Sequence, residues 1–196
     1  KVKVPKDALY GAQTQRAIDN FKISGISFDP AFIQSLANLK SACANANLKC
    51  GVIPKIKASN ISLIAKDIAK NTMDYMDHFP VDIFQTGSGT STNMNMNEVV
   101  SNLAKRKYKK EIHPNDDVNM SQSSNDVIPT TINISNLAMS NSLSLSMNFL
   151  CDSLHKKSKS LSDIIKSGRT HLMDAVPISF EQELNVWEEQ VRAAQS

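Results

Sequence analysis

Hydroxyl, amide and imidazole side chains gather in three short stretches of this 196-residue chain. The first is Gly87-Ser88-Gly89-Thr90-Ser91-Thr92-Asn93. The second is His113-Pro114-Asn115-Asp116, followed by Ser121-Gln122-Ser123-Ser124-Asn125-Asp126. The third is Gly168-Arg169-Thr170-His171. Hydroxyls and amides donate directional hydrogen bonds without neutralising an anion, which suits a small carboxylate. A phosphate loop usually adds a lysine, as in Gly-x-x-x-x-Gly-Lys-Ser/Thr, and the sequence holds no such motif. Several of these stretches brought together would grip a small di-acid at both ends. Each one alone has a plainer account: Gly-Ser-Gly-Thr as a turn and cap, Ser-Ser-Asn-Asp as a run of helix caps, His171 as a structural or surface histidine.

The elements that must position these residues are helical. Asp29-Pro30 is a capping residue with proline at the first helical position. Phe32, Leu36, Leu39, Cys43 and Ala46 follow at three- and four-residue spacing, so a helix is predicted from there to about Asn47. Ile61, Ile64, Ile68, Thr72 and Tyr75 predict a second helix ending before Pro80. A third is predicted from Thr92 to about Lys109, directly after the first polar stretch. The first turn of a helix leaves N–H groups unpaired and carries about half a positive charge, so hydroxyl-rich residues there form an anion cradle. The segment from Thr130 to Ser167 has neither Gly nor Pro and is predicted as one long helix followed by a short stretch at Ile164-Ile165. Residues 168–177 are predicted as a loop. Ser179-x-x-Gln182 makes a capping box for a last helix carrying Leu184, Trp187 and Val191. Residues 1–28 show turns and no sustained period.

The composition narrows the class of function. Hydrophobic residues make up 41% and six glycines are few for a turn-rich β-fold, which favours a globular, mainly α protein. A net charge of +3 without a basic, aromatic-laced patch excludes nucleic acid as the expected partner. No apolar run approaches the roughly 20 residues that span a bilayer, so no membrane partner is expected either. Three cysteines, an odd number without metal-ligand spacing, fit reduced thiols in a cytoplasmic compartment, or in a mitochondrial matrix if the source is eukaryotic. His78 and His155 read as structural or solvated, and the basic run Lys105-Arg106-Lys107 as an exposed helix end.

Longer strings carry a resemblance. Val4-Pro5-Lys6-Asp7-Ala8-Leu9-Tyr10-Gly11-Ala12-Gln13-Thr14-Gln15-Arg16, Thr86-Gly87-Ser88-Gly89-Thr90-Ser91-Thr92-Asn93-Met94-Asn95-Met96-Asn97-Glu98, His113-Pro114-Asn115-Asp116-Asp117-Val118-Asn119 with Ser121 to Asp126, and Gly168-Arg169-Thr170-His171-Leu172-Met173-Asp174-Ala175-Val176-Pro177 occur in the order found in class II fumarases and aspartases. The chain resembles the fumarase branch more closely: His171 stands where aspartases usually carry Gln, and Ser-Ser-Asn-Asp where they tend to carry Ser-Thr-Asn-Asp. The resemblance implies reversible hydration of fumarate to L-malate, with neither metal nor organic cofactor. It implies that Ser88, Gly89 and Thr90 hold a substrate carboxylate and that Ser123, Ser124 and Asn125 add donors. Thr170 would reach the site from a neighbouring subunit. His171 would orient or activate water, a role suited to imidazole. His113, Pro114, Asn115 and Asp116 match a second, non-catalytic anion site.

The same resemblance implies a homotetramer with active sites shared between subunits, built from a small helical domain over residues 1–124 and the start of a long-helix bundle over 125–196. Family members are more than twice as long, and their Gly-Ser-Ser-x-Met-Pro-x-Lys-x-Asn signature is absent here. The chain is therefore expected to be an N-terminal portion that lacks hydratase activity alone. Glu181, Asn185-Val186, Leu103 and Lys110 depart from the usual pattern, and Lys110 cannot form the two-pronged contact of an arginine in the second anion site. The alternatives are an aspartase-type ammonia-lyase and a non-catalytic binding or assembly module that keeps the fold.

Overall fold

Residues 2–195 are described by a computed structural model. The chain divides into two compact units, 1–136 and 137–196. Their boundary falls inside a long helix, whereas the sequence places a domain boundary at that helix's first turn.

In the first unit, helix α1 spans Ala12–Asn20, α2 Pro30–Lys49, α3 Lys55–Lys70, α4 the single turn Thr72–Tyr75, and α5 Thr90–Tyr108. A π-helical turn, Pro114–Val118, precedes α6, which begins at Ser124 and runs on to Ser160. Helices α2, α3 and α5 share one apolar core. Ile33, Leu36 and Ala37 of α2, Ile61, Ile64 and Ile68 of α3, and Met96, Val99 and Val100 of α5 are all buried. Each such large side chain contributes about 1.5–3 kcal/mol on leaving water. The predicted cap forms, with Asp29 Oδ1 accepting from Ala31 N–H at 2.8 Å. The third predicted helix starts two residues early, at Thr90, because Gly89 takes the capping position with φ 66°.

The absence of period in residues 1–28 does not prevent a helix there. Helix α1 forms because a carboxylate from α5 caps it: Glu98 accepts from Gly11 N–H at 2.8 Å, Gln13 N–H at 3.0 Å and Thr14 N–H at 3.1 Å, and from the Thr14 hydroxyl at 2.7 Å. A Cβ on Gly11 would stand 2.7 Å from that carboxylate, so a larger residue there would have to displace the cap. Arg106 is likewise more than a solvated helix end. Its guanidinium donates to the carbonyls of Lys6, Asp7 and Ala8 at 3.0, 3.2 and 2.7 Å and straps the N-terminal segment to α5.

In the second unit, α6 is followed by strands β1 Ile165–Thr170 and β2 Met173–Ser179 and by helix α7, Phe180–Gln195. Two expectations are corrected here. The long helix stops at Ser160 rather than Ser167, and residues 168–177 are not a loop but most of an antiparallel hairpin, which pairs Ile165 with Ser179 at one end and Thr170 with Met173 at the other and shifts register at a bulge between Ser167 and Arg169. β-Branched Ile165, Val176 and Ile178 favour the strands. His171 and Leu172 form the two-residue turn with φ 54° and 61°, the left-handed pair that a tight hairpin requires. The predicted capping box forms, Ser179 N–H donating to Gln182 Oε1 at 2.9 Å and Gln182 N–H to Ser179 Oγ at 3.0 Å. Within this unit α7 is tied to α6 by Lys159–Glu181 at 2.7 Å and by Glu188, which pairs with His155 at 3.2 Å and Arg192 at 2.8 Å.

Two predictions concern this scaffold. Asp82 accepts from the N–H groups of Ser24, Gly25 and Phe84 at 2.6, 2.8 and 2.8 Å and from the Ser24 hydroxyl at 2.9 Å. Burial pushes its carboxyl up, but these donors outweigh burial and hold it at about 2, below the ordinary 3.8. A depressed folded value stabilises the fold fully above the unfolded value, and that share is lost as pH falls toward 2. Urea midpoints measured from pH 6 to pH 2 are expected to fall more steeply in wild type than in Asp82→Asn. Gly89→Ala is expected to cost at least about 1–2 kcal/mol for the left-handed backbone alone, with more from a Cβ only 2.9 Å from Ile128 Cγ1. A urea midpoint equal to wild type would show that the turn relaxes freely.

Candidate functional site

The α5 N-terminus is built by its own preceding loop. Gly89 N–H donates to Thr86 O at 2.8 Å, and Asn93 N–H to Gly89 O at 3.1 Å. Gln85 pins this turn: its Oε1 accepts from Thr92 N–H at 2.9 Å, and its Nε2 donates to Thr92 Oγ1 at 2.7 Å and Asp82 O at 2.9 Å. Thr90 lies in the first helical turn and is exposed, and its hydroxyl is 2.9 Å from that of Ser88. Two hydroxyls therefore stand at the positive end of a 19-residue helix.

The second polar stretch opens α6. The Ser123 carbonyl accepts from Asp126 N–H at 3.0 Å and Val127 N–H at 2.9 Å, which makes Ser123 the turn that launches the helix. Pro129 lies inside α6 and has no N–H, so the Asn125 carbonyl lacks its usual helical donor. The two helix starts touch. Gly89 lies against Ile128, and Asn93 Nδ2 of α5 donates to Ser124 Oγ at 2.9 Å. The first unit thus brings together Ser88, Gly89, Thr90, Ser123, Ser124 and Asn125, the predicted substrate residues that fall within it. Thr170 and His171 lie in the second unit, at the tip of the β1–β2 hairpin, both exposed beside a fully exposed Leu172.

His113 and Pro114 border a separate open cleft of about 410 Å³, with Lys57, Ser101, Lys105 and Asp117. Asn115 and Asp116 are exposed on the π-helical turn beside it. His113 Nδ1 accepts from Asp116 N–H at 3.0 Å and lies 3.1 Å from Asp116 Oδ2. Asp117 is held by Lys57 at 2.8 Å and by His113 N–H at 2.8 Å. Burial raises its carboxyl, and the Lys57 and His113 contacts reverse this to leave it below the ordinary value. Among the described residues no group of three or more His, Cys, Asp or Glu could hold a metal ion. No helix of the described residues is long and apolar enough to cross a membrane.

The sequence reading missed what lies beneath the two helix starts. Lys40 of α2 has no exposed surface. Its ammonium donates to Asn119 Oδ1 at 3.1 Å and Gln122 Oε1 at 2.9 Å. Asn119 Oδ1 also accepts from Asn93 Nδ2 at 3.1 Å and Asn97 Nδ2 at 3.3 Å. Burial is the main influence on Lys40 and pulls it down to about 7, while Cys43, one turn along α2, acts weakly in the other direction. One signal was available: Lys40 follows Ile33, Leu36 and Ala37 and precedes Ala44 at helical spacing, in register with the buried face.

A family model described as "Lyase" matches residues 1–196. The class II fumarate hydratase of Xylella fastidiosa strain 9a5c is 50% identical over 196 residues, which are all of this chain and 41% of that protein. The chain thus spans about two fifths of the length of the curated relatives it matches. Among solved structures, a fumarate lyase:delta crystallin from Brucella melitensis superposes with TM-score 0.84 at 39% identity, covering 99% of this chain and 45% of that one. A recombinant class II fumarase from Schistosoma mansoni gives TM-score 0.80 at 37% identity, covering 99% and 42%. With the helical architecture shared by these structures and the family model matched from end to end, the chain belongs to this lyase family.

Proposed function

We propose that this chain carries part of the active site of a fumarate hydratase, which adds water reversibly across the double bond of fumarate to give L-malate. The observation that carries the reading is the junction of the two helix starts, where Ser88, Thr90 and Ser124 present neutral donors around the Gly89–Ile128 contact. The names of the relatives support it. In the dehydration of malate, removing a proton beside a carboxylate builds negative charge on that carboxylate, and hydration passes through the same charged state in reverse. Donors already fixed toward that charge lower the barrier, because they need not reorganise as it develops. Ser88, Gly89 and Thr90 hold one carboxylate in this reading, and Ser123, Ser124 and Asn125 complete the cradle. Thr170 and His171 reach a cradle in a neighbouring subunit, where His171 orients the water and moves its proton. The His113–Asp116 segment and its cleft form a second anion site that takes no part in the chemistry.

The assembly belongs to the same proposal: a homotetramer in the cytoplasm, with the substrate loops on residues 1–124 and the bundle beginning at 125. In the second unit by itself, Leu137, Leu145 and Phe149 are 73%, 71% and 76% exposed, an apolar surface that a bundle of copies would cover.

Loss of fumarate absorbance in the whole protein tests the reading. Thr90→Ala is expected to lower kcat about 10²–10³-fold, the cost of one oriented donor. His171→Asn is expected to lower it about 10²–10⁴-fold. Ammonia release from aspartate by the same protein, without hydration of fumarate, would move the assignment to the aspartase branch.

A further inference from the structure

We propose that Lys40 is a positioning residue that fixes the donor–acceptor sense of the substrate cradle, so that the Ser124 hydroxyl is left as a donor to the substrate carboxylate; this rests on the functional reading above. Charged, Lys40 has three N–H donors and no acceptor, and as a neutral amine it still has two N–H donors for its two partners, so both groups it touches present an oxygen. Asn119 and Gln122 are therefore held with their oxygens toward Lys40, at 3.1 and 2.9 Å. Their amide nitrogens must turn the other way, and they do. Asn119 Nδ2 donates to Gln122 O at 3.2 Å, and Gln122 Nε2 to Val118 O at 2.9 Å and Met120 O at 3.2 Å. One buried lysine thus orients both amides, whose nitrogens tie down the carbonyls of the segment leading to Ser123.

The sense propagates upward. Because Asn119 shows its oxygen, Asn93 must show it a nitrogen, and that same Nδ2 reaches Ser124 Oγ at 2.9 Å. The Ser124 oxygen is occupied as an acceptor, which leaves its O–H proton free for an anion. An Asn93 turned over would place its Oδ1 against Asn119 Oδ1, acceptor against acceptor, and would take the Ser124 proton for itself. Lys40, acting through Asn119, forbids that turned state. Asn93 Oδ1, like Asn95 Oδ1 and Asn97 Oδ1, is buried without a hydrogen-bond partner among the described residues. An apolar side chain would fill the same space on the buried face of α2 but could not dictate this direction.

The test is a double-mutant cycle on the whole protein, read by calorimetric affinity for fumarate and succinate, together with the side-chain amide NMR signals of Asn93 and Asn119. Lys40→Met is expected to weaken dicarboxylate binding about tenfold, the scale of one hydrogen bond to a charged ligand. In a Ser124→Ala background it should weaken binding no further, whereas in Ser88→Ala its tenfold effect should persist. The Asn93 and Asn119 amide signals should shift and lose their protection from exchange. Lys40→Gln, which offers an acceptor as well as a donor, should show the same pattern at smaller size and carries the test if Lys40→Met does not fold. A purely structural lysine would cost the same in both serine backgrounds, and that result, or unchanged amide signals, overturns the proposal. If wild type binds neither dicarboxylate while the amide signals move, the functional reading falls and the orienting role of Lys40 stands.

Discussion

A lysine ammonium with no exposed surface and only amide oxygens for company sets the terms for the first unit. Removing a charge from water is expensive, and a fold normally answers with a carboxylate. Here the answer is two oriented amide oxygens, one of which Asn93 and Asn97 also use. Burial answers in part as well, by pulling Lys40 down to about 7. The two helix N-termini that meet at Asn93 and Ser124 are positive ends, so they supply sign where the neutral hydroxyls supply direction.

The same device recurs wherever an irregular segment must be held still. Glu98 gathers the N-terminus of α1, Asp82 gathers the turn at Ser24 and Gly25, and Gln85 clamps the loop before α5. Glu98 and Asp82 each satisfy three backbone N–H groups that regular structure leaves unpaired, and Gln85 accepts from one N–H and donates to one carbonyl and one hydroxyl. Loops of this kind cannot be rigid through apolar packing, because they must stay polar to meet a polar ligand. They are made rigid from beneath. A site assembled this way pays little reorganisation when a ligand arrives, the condition under which oriented donors are most effective.

Much of this was legible in the sequence, and the boundary is physical. Helix α2 showed its cap and its period, and α7 its capping box, because those signals are local. The polar loops were legible by residue type. Helix α1 was not, since the group that caps it lies 85 and 87 residues away from Gln13 and Gly11. The hairpin was missed because His171 and Leu172 occupy left-handed positions where asparagine and glycine are the usual signal. Lys40 was visible as a residue on the wrong face of an amphipathic helix. Its meaning was not, because Asn119 is 79 residues distant.

The left-handed pair at the hairpin tip belongs to the same logic as Lys40. A leucine at φ 61° with its side chain fully exposed gains nothing from burial within its own unit and pays for its backbone. Helix α6 behaves alike beyond residue 137, where the second unit buries Cys151, Ser158, Leu184 and Glu188 but leaves Leu145 and Phe149 in water. The first unit, by contrast, closes its own core and orients its own polar network. That contrast, one unit closed around its core and another with apolar side chains left in water, is what supports the proposal that one subunit supplies the cradle and another the imidazole.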